Sequence, residues 1–580
     1  MIKFRKQSLL NSLSRIVITL LFITALNLSI TAASTPPTKW IQGTNIYEIF
    51  VRSFSPEKNL NGVTKHLQDL KNMGVETVWL MPIFASPSPH GYDVTDYKDI
   101  NPDYGTIDDL NKLVEKAHSF GMKVILDLPI NHCSDQNPLF CSLDENIRKD
   151  DWFMWKDSDQ GWPGPWDASW DFCKGATWFA DTAHLNRGYY YGAFHHSMPD
   201  LNFYGPAKDE VIDYFTGVMK FWIDECNVDG FRCDAARYIV ETGKSEPGNE
   251  RQRDQEQTHE TWQQLKKNLG KIKPEAILIA ESPTENSGQL LTYYGDANEF
   301  NSAFHFGLQG KLMGSANHGR RDQWLFAEMY AIQAKLPSHN KLNPQDWTQD
   351  TVFLSNHDEF AGARVASQLG SDINKIKMAA SLYLLLSGAP VIYYGEEIGM
   401  TNDYSKQGDD QIRGMLDWNE YKKQLDDDKS LLNHYSKLLN LRNKHEALKK
   451  GVSYFVHTGY RYDPSEKGDY TWDSNQDQAS PVMSIIREYN GKKILVVHNL
   501  AGSWHTNSGW CYLLVDLSKN CGLDIPLGTE LNPIMLQDQD DPKSFPPVTE
   551  NNIHKYPVGW FAPMSTKVFI IGDSKENKNI

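Results

Sequence analysis

Apolar residues in this chain come mostly in short unbroken runs, at 46–54, 77–84, 123–130, 228–234, 276–282, 300–306, 351–358 and 390–397. A strand that is apolar on both faces is covered on both sides, as in a parallel sheet. Between the runs lie segments with helical spacing of apolar positions, among them 62–73, 107–120, 208–226 and 259–269. Eight strand–helix units in about 400 residues predict an α/β fold of the closed (β/α)8, or TIM-barrel, type. An open doubly wound sheet is the alternative, but the glycine-rich phosphate loop that often accompanies it is missing from the sequence. The connection at 131–204 is too long for a loop, and it predicts a small domain inserted after strand 3. Beyond the helical stretch at 429–444 the period changes. Short alternating segments at 482–488, 493–499, 510–516 and 566–571, separated by Gly, Asn, Asp and Pro, predict an antiparallel β-sandwich over 451–580. The barrel domain is expected over 34–450.

The N-terminus has a separate logic. Lys3, Arg5, Lys6 and Arg15 precede the apolar run 16–30, and small residues follow at Thr31-Ala32-Ala33. This predicts a secretory signal over 1–33, hence a secreted or periplasmic protein with no stable membrane association after cleavage. A membrane anchor is the alternative, though the run is short for a span. Export makes disulfides possible. Cys133 with Cys141, and Cys511 with Cys521, are near enough in sequence to staple local loops, while Cys226 and Cys233 read as buried thiols. The net charge of −16 argues against nucleic acid as a partner. With 17 Trp, 26 Tyr and 25 Phe the chain is rich in rings that either fill cores or stack on sugars. Trp162, Trp166, Trp170, Trp178 and Tyr189-Tyr190-Tyr191 pose that choice inside the inserted segment.

Polar residues collect where the predicted strands end. Strand 3 ends in Asp127-Leu128-Pro129-Ile130-Asn131-His132, strand 4 in Arg232 and Asp234, strand 5 in Glu281, and strand 7 in Asn356-His357-Asp358. In a barrel these tips face one rim, where active sites are built. Arg232 and Asp234 are two apart in a strand and share a face. A guanidinium beside a carboxylate favours the ionised form, which suits a nucleophile.

Taken in order, these stretches resemble the alpha-amylase family of glycoside hydrolases. The likeness rests on His90-Gly91-Tyr92-Asp93-Val94-Thr95-Asp96-Tyr97, Asp127 to His132, and Met198-Pro199-Asp200-Leu201-Asn202. It continues through Gly230 to Tyr238, Ile279-Ala280-Glu281, Asn356-His357-Asp358 and Gly388-Ala389-Pro390-Val391-Ile392-Tyr393-Tyr394-Gly395. The resemblance implies retaining cleavage of alpha-glucosidic bonds in an alpha-glucan. Asp234 would be the nucleophile, Glu281 the acid and base with a raised pKa, and Asp358 a hydroxyl-binding third carboxylate. Arg232 would hold Asp234, His132 and His357 would bind hydroxyls, and Tyr92 would stack under the reacting sugar. It also implies that Asn131 ligates calcium, and that Asp93 and Arg413 hold the non-reducing end in exo-acting members. Arg237 and Tyr238, standing where many members have Lys-His, are expected on the leaving-group side. The loop 55–62 carries one carboxylate and is expected to be metal-free. Met198 to Asn202 with Arg237-Tyr238 resembles members intermediate between amylases and oligosaccharide-acting glucosidases. The expected activity is hydrolysis of alpha-1,4 bonds in starch and maltodextrins. An alpha-glucosidase or cyclodextrin hydrolase is the alternative; a transglycosylase, an isomerase and a non-catalytic sugar-binding homologue are the remaining readings.

Overall fold

In a strand, every second side chain points the same way, so a barrel strand has one face for the barrel interior and one for the helices outside. Interior positions here are apolar at the bottom and charged at the top. Ile46, Ile125, Ile277, Ala389 and Val391 belong to one buried cluster with Trp79 and Phe304. Two residues above Ile46, Ile125 and Gly230 stand Glu48, Asp127 and Arg232, with Asp127 directly opposite Arg232. The computed structural model describes residues 39–165, 176–340, 350–462, 469–473, 478–502, 510–536 and 544–572. The expected signal, together with Trp166, Trp170 and Cys173, lies outside them.

The eight parallel strands are β1 (Ile46–Ile49), β2 (Thr77–Leu80), β3 (Lys123–Leu128), β4 (Gly230–Cys233), β5 (Ile277–Ala280), β6 (Ser302–Ala303), β7 (Thr351–Val352) and β8 (Ala389–Tyr393). They pair in the order β6-β5-β4-β3-β2-β1-β8-β7, and a parallel bridge between Phe304 and Thr351 joins the two ends. The fold is the expected TIM barrel. Gly230 is dictated by packing: a Cβ there would lie 2.4 Å from the carbonyl oxygen of Ile277 on the next strand.

The helices follow their periodicity and caps. Helix α1 (Leu60–Met73) starts on Asn59, whose side chain accepts from the Gly62 amide, and stops at Gly74 in the left-handed region. Helix α2 (Ile107–Ser119) begins with a capping box between Thr106 and Asp109. Helices α3 (Lys208–Cys226) and α4 (Glu256–Ile272) flank β4. The strands are shorter than their apolar runs, because much of each run belongs to the rim. Val51–Phe54, inside the first run, is a helical turn. Phe54 is buried edge-on to Trp418 and Tyr47, so burial accounts for its apolarity without an extended backbone.

Between β3 and β4 the chain forms a three-stranded sheet from Trp155–Lys156, Tyr189–Tyr191 and Trp178–Ala180. Trp178 and Tyr191 are buried in a cluster of its own, with Trp162 and Tyr189 packed against it; these aromatic residues build the insert's core. The segment returns to the barrel through bridges His132–Asp200 and Phe153–Leu201. After the barrel, a five-stranded and a four-stranded antiparallel sheet enclose a second core containing Val482, Leu495, Leu513 and Phe569. One hairpin turns at Asn490-Gly491, both with positive φ, as a two-residue turn requires. The expected disulfides do not form: the six described cysteines are all free thiols. Nearness in sequence does not supply the Cβ geometry of a bridge. Cys511 belongs to the core between the sheets, and the Cys521 thiol donates to the Leu523 carbonyl instead. Cys226 and Cys233 are buried, as expected.

Candidate active site

At the top of the barrel a cavity of about 830 Å3 is lined by residues from several strand ends and from the insert, including Tyr92, Asp93, His132, Asp234, Glu281, Asp358 and Arg413. Arg232 lies beneath it, 1% exposed, and organises the floor. Its Nη1 donates to Asp127 at 2.9 Å, to Asp234 at 2.6 Å and to the Tyr92 hydroxyl at 3.3 Å. Its Nη2 lies 3.1 Å from Glu281 Oε2, an ion-pair distance without hydrogen-bond geometry. The strand register gives the reason: Cys233 and Ala280 are partners, so Asp234 and Glu281 emerge side by side. The Ala235 amide donates to Glu281 Oε2 at 3.0 Å.

Burial raises the pKa of both carboxyls, and Arg232 opposes the rise in both. They are in hydrogen-bonding contact, which favours the charged form of Asp234 and the protonated form of Glu281. Within the pair this contact favours the proton on Glu281. Asp127, fully buried under the pair, is pushed up to about 7 by desolvation against the pull of Arg232.

Asp358, on the loop after β7, is placed by Arg413 from beyond β8. Arg413 Nη2 donates to it at 3.3 Å and to Asp409 at 2.9 Å, while Arg413 Nε donates to the His357 carbonyl at 2.9 Å. Burial and the nearby Asp409 hold the Asp358 carboxyl well above its usual range. Burial holds His357 well below its usual range and His132 down at about 3, so both imidazoles are neutral. Tyr92 is stacked parallel to His357 at 5.6 Å. Asp93 accepts from Ser86 at 2.6 Å and from Ser88.

Of the expected site residues, Arg232, His357 and Asn131 are buried around the cavity without lining it, and Arg237 is not brought to it at all. Arg237 turns away from it, 2% exposed, and donates to Asp254 and to the Pro283 carbonyl. The alternation of β4 ends at Ala235, which has a positive φ of 49°, so residue 237 no longer follows the strand's facing. Its neighbour Tyr238 lines the cavity instead. Glu48 was not singled out from the sequence. It is fully buried and lies 2.5 Å from His357 Nδ1. An acid inside the apolar stretch Ile46-Tyr47-Glu48-Ile49 was the available signal. Asp409, Phe194 and Phe360 reach the cavity from loops with no strand-end pattern to mark them.

Asn131 lies behind the cavity. Its Oδ1, Asp200 Oδ2 and Glu241 Oε1 are buried without hydrogen-bond partners. Burial holds Asp200 and Glu241 well above the usual carboxylate range, with Asp200 adding repulsion to Glu241. Unpartnered oxygens from two acids and an amide suit a hard cation such as calcium. The described residues contain no group of three His, Cys, Asp or Glu that could hold a metal, so any such site depends on the Asn131 amide and backbone oxygens as well.

Residues 47–451 match the family model described as alpha amylase, catalytic domain. Alpha-amylase 3 of Dictyoglomus thermophilum is 33% identical over 491 residues, covering 80% of this chain and 85% of that protein. Trehalose synthase/amylase TreS of Mycolicibacterium smegmatis is 28% identical over 488 residues, covering 72% and 78%. Among solved structures, the alpha-amylase from H.orenii superposes with a TM-score of 0.70 at 29% identity, covering 91% of this chain and 99% of that one.

Proposed function

The chain belongs to the alpha-amylase family, and on that premise we propose that it is a retaining hydrolase of alpha-1,4-glucosidic bonds in starch and maltodextrins. The observation that carries this reading is the Asp234–Arg232–Glu281 arrangement, in which the contact between the carboxyls favours the proton on Glu281. Two carboxyls in contact leave no room between them for the water of an inverting mechanism, and retaining enzymes use the closer spacing. In the first step Asp234 attacks the anomeric carbon as Glu281 gives its proton to the departing glycosidic oxygen. A covalent glycosyl-enzyme results. In the second, Glu281 takes a proton from water, the hydroxide oxygen bonds to the anomeric carbon, and Asp234 departs as a carboxylate. Arg232 steadies the charge on Asp234 throughout. His132 and Asp358 bind hydroxyls of the reacting sugar, His132 as a neutral hydrogen-bond partner, while the fully buried His357 backs Tyr92, whose ring supports the sugar's apolar face.

Calcium, when bound, supplies no step of this chemistry. Asn131, Asp200 and Glu241 are the residues to hold it, which would fasten the insert to the end of β3. The signal expected at 1–33 supports export.

The test is Asp234→Asn assayed on soluble starch. Hydrolysis should fall to background, and undiminished activity sinks the reading. Products from the wild type decide the mode of attack. A second reading, an exo-acting alpha-glucosidase, is favoured by Arg413 bridging Asp358 and Asp409 in the same cavity as Asp93. Glucose as the sole product would support it, whereas a spread of fragments means internal cleavage.

A further inference from the structure

On the far side of Phe360 lies a second cavity of about 370 Å3, lined by Gln309, Gly310, Gly314, Asn317, Gln368 and Phe360 among others. Phe360 also lines the catalytic cavity, and among the described residues no other is common to both. Its ring is stacked on Phe306 at 5.8 Å, and Phe306 packs edge-on to Phe353, so the shared wall is braced from the barrel side. One side of the second cavity is helix α5 (Phe306–His318). From Gln309 to Asn317 that helix contributes just over two turns, roughly 12 Å of groove.

The lining has the chemistry of a sugar site. The amide nitrogen of Gln309 is committed to the carbonyls of Leu354 and Ala361, and that of Gln368 to the Ala363 carbonyl. Among the described residues no donor reaches their oxygens, which are available to hydroxyl groups. Asn317 uses its oxygen on Lys375 and keeps its amide protons. Amides with an aromatic wall and no carboxylate in the lining suit a neutral polyhydroxylated ligand better than an ion. The helix leaves space for it: a Cβ at Gly310 would meet nothing within 4 Å, and one at Gly314 only His318 Nδ1 at 3.9 Å.

We propose that this groove binds further glucosyl units of the same alpha-glucan chain whose scissile bond sits in the catalytic cavity, with the chain passing over Phe360. The inference rests on the alpha-glucan reading of the catalytic cavity. It makes the protein selective for long chains: maltotriose is too short to fill both cavities, whereas maltoheptaose and starch fill them.

Gly310→Leu and Gly314→Leu test it, because each puts a side chain into the groove and neither touches the catalytic cavity. Replacing a helical glycine favours the helix, so both variants should fold. The expected result is a rise of about tenfold in KM for maltoheptaose, equal to losing roughly 1.4 kcal/mol of uniform binding, with kcat on maltotriose unchanged. Equilibrium binding of maltoheptaose to Asp234→Asn, with and without Gly310→Leu, should weaken by the same factor. Equal binding by the two proteins overturns the groove, as does an unchanged KM for maltoheptaose. A wild type that turns over none of these glucans, while the Asp234→Asn protein binds maltoheptaose through the groove, overturns the hydrolase reading alone.

Discussion

Glu48 shows how a buried residue can govern its neighbours around the cavity. Desolvation holds its carboxyl well above the usual range, so it carries a proton, and His357 beside it is neutral. One direction of hydrogen bonding then runs consistently along the row, with Glu48 Oε2 left unpartnered. Glu48 donates to His357 Nδ1, His357 Nε2–H donates to the Tyr92 hydroxyl, and Tyr92 donates to Asp127 at 3.1 Å. Asp127 is already the acceptor of Arg232. Glu48 thus fixes the tautomer of His357 from behind the substrate face. Glu48→Gln keeps a donor for Nδ1 and should retain most of the activity and stability. Glu48→Leu leaves a buried ring nitrogen unpaired, at a cost of about 1–3 kcal/mol, and should lower both the melting temperature and kcat. Thermal melts and starch kinetics on the two variants check this. Equal behaviour of Gln and Leu would remove the tautomer argument.

The end of β8 carries a second buried acidic pair with a different consequence. Glu396 accepts from the hydroxyls of Tyr383, Tyr435 and Ser355, and Glu397 from Tyr47, while Glu397 Oε2 has no partner. Burial lifts both to about 7 from the usual 4.5. A carboxyl raised on folding binds its proton more tightly in the folded chain than in the unfolded one. The stability it contributes is complete below about pH 4.5 and is lost as pH climbs through 7. Glu397→Gln, which cannot ionise, should therefore lose less stability between about pH 5 and about pH 8 than the wild type, read from denaturant midpoints. Parallel curves would show that this carboxyl does not titrate there. Elements such as this strand were legible as apolar runs, and α3 begins and ends where its periodicity does. Their ends were less legible: in 351–358 only Thr351–Val352 is strand, because a run of buried residues reads alike in a strand and in the rim loop that follows it.

Across the whole molecule, the parts are joined by buried arginines and by the insert's return. Arg487 donates to the carbonyls of Leu385 and Gly451, at 2.8 and 2.7 Å, and Arg321 pairs with Asp473 at 3.2 Å, so the C-terminal sheets are tied to the barrel. Met483, Ile485, Ile494 and Val568 extend the main core into the nearer sheet. The insert is tied at Asn131 and Asp200, where the Leu201 amide donates to the Asn131 carbonyl at 2.7 Å. Two buried acids share this joint, and a cation bound only by the folded chain would offset the cost of ionising them, so calcium should raise the melting temperature of the wild type. Asn131→Ala should abolish the rise. A melting temperature indifferent to both calcium and chelator would rule out the site.

The linear order of residues was enough to specify the barrel, the sandwich and the strand-end carboxylates Asp234, Glu281 and Asp358. Burial and alternation are written into the chain at short range, and a barrel sends every strand end to one rim. What each charged group does there was decided by folding alone. Protonation depends on how much water is removed and which charges come near, and those neighbours are remote in sequence: Glu48 meets His357, and Arg413 meets Asp358. For the same reason Arg237, next in line to the catalytic strand, faces Asp254 rather than a sugar.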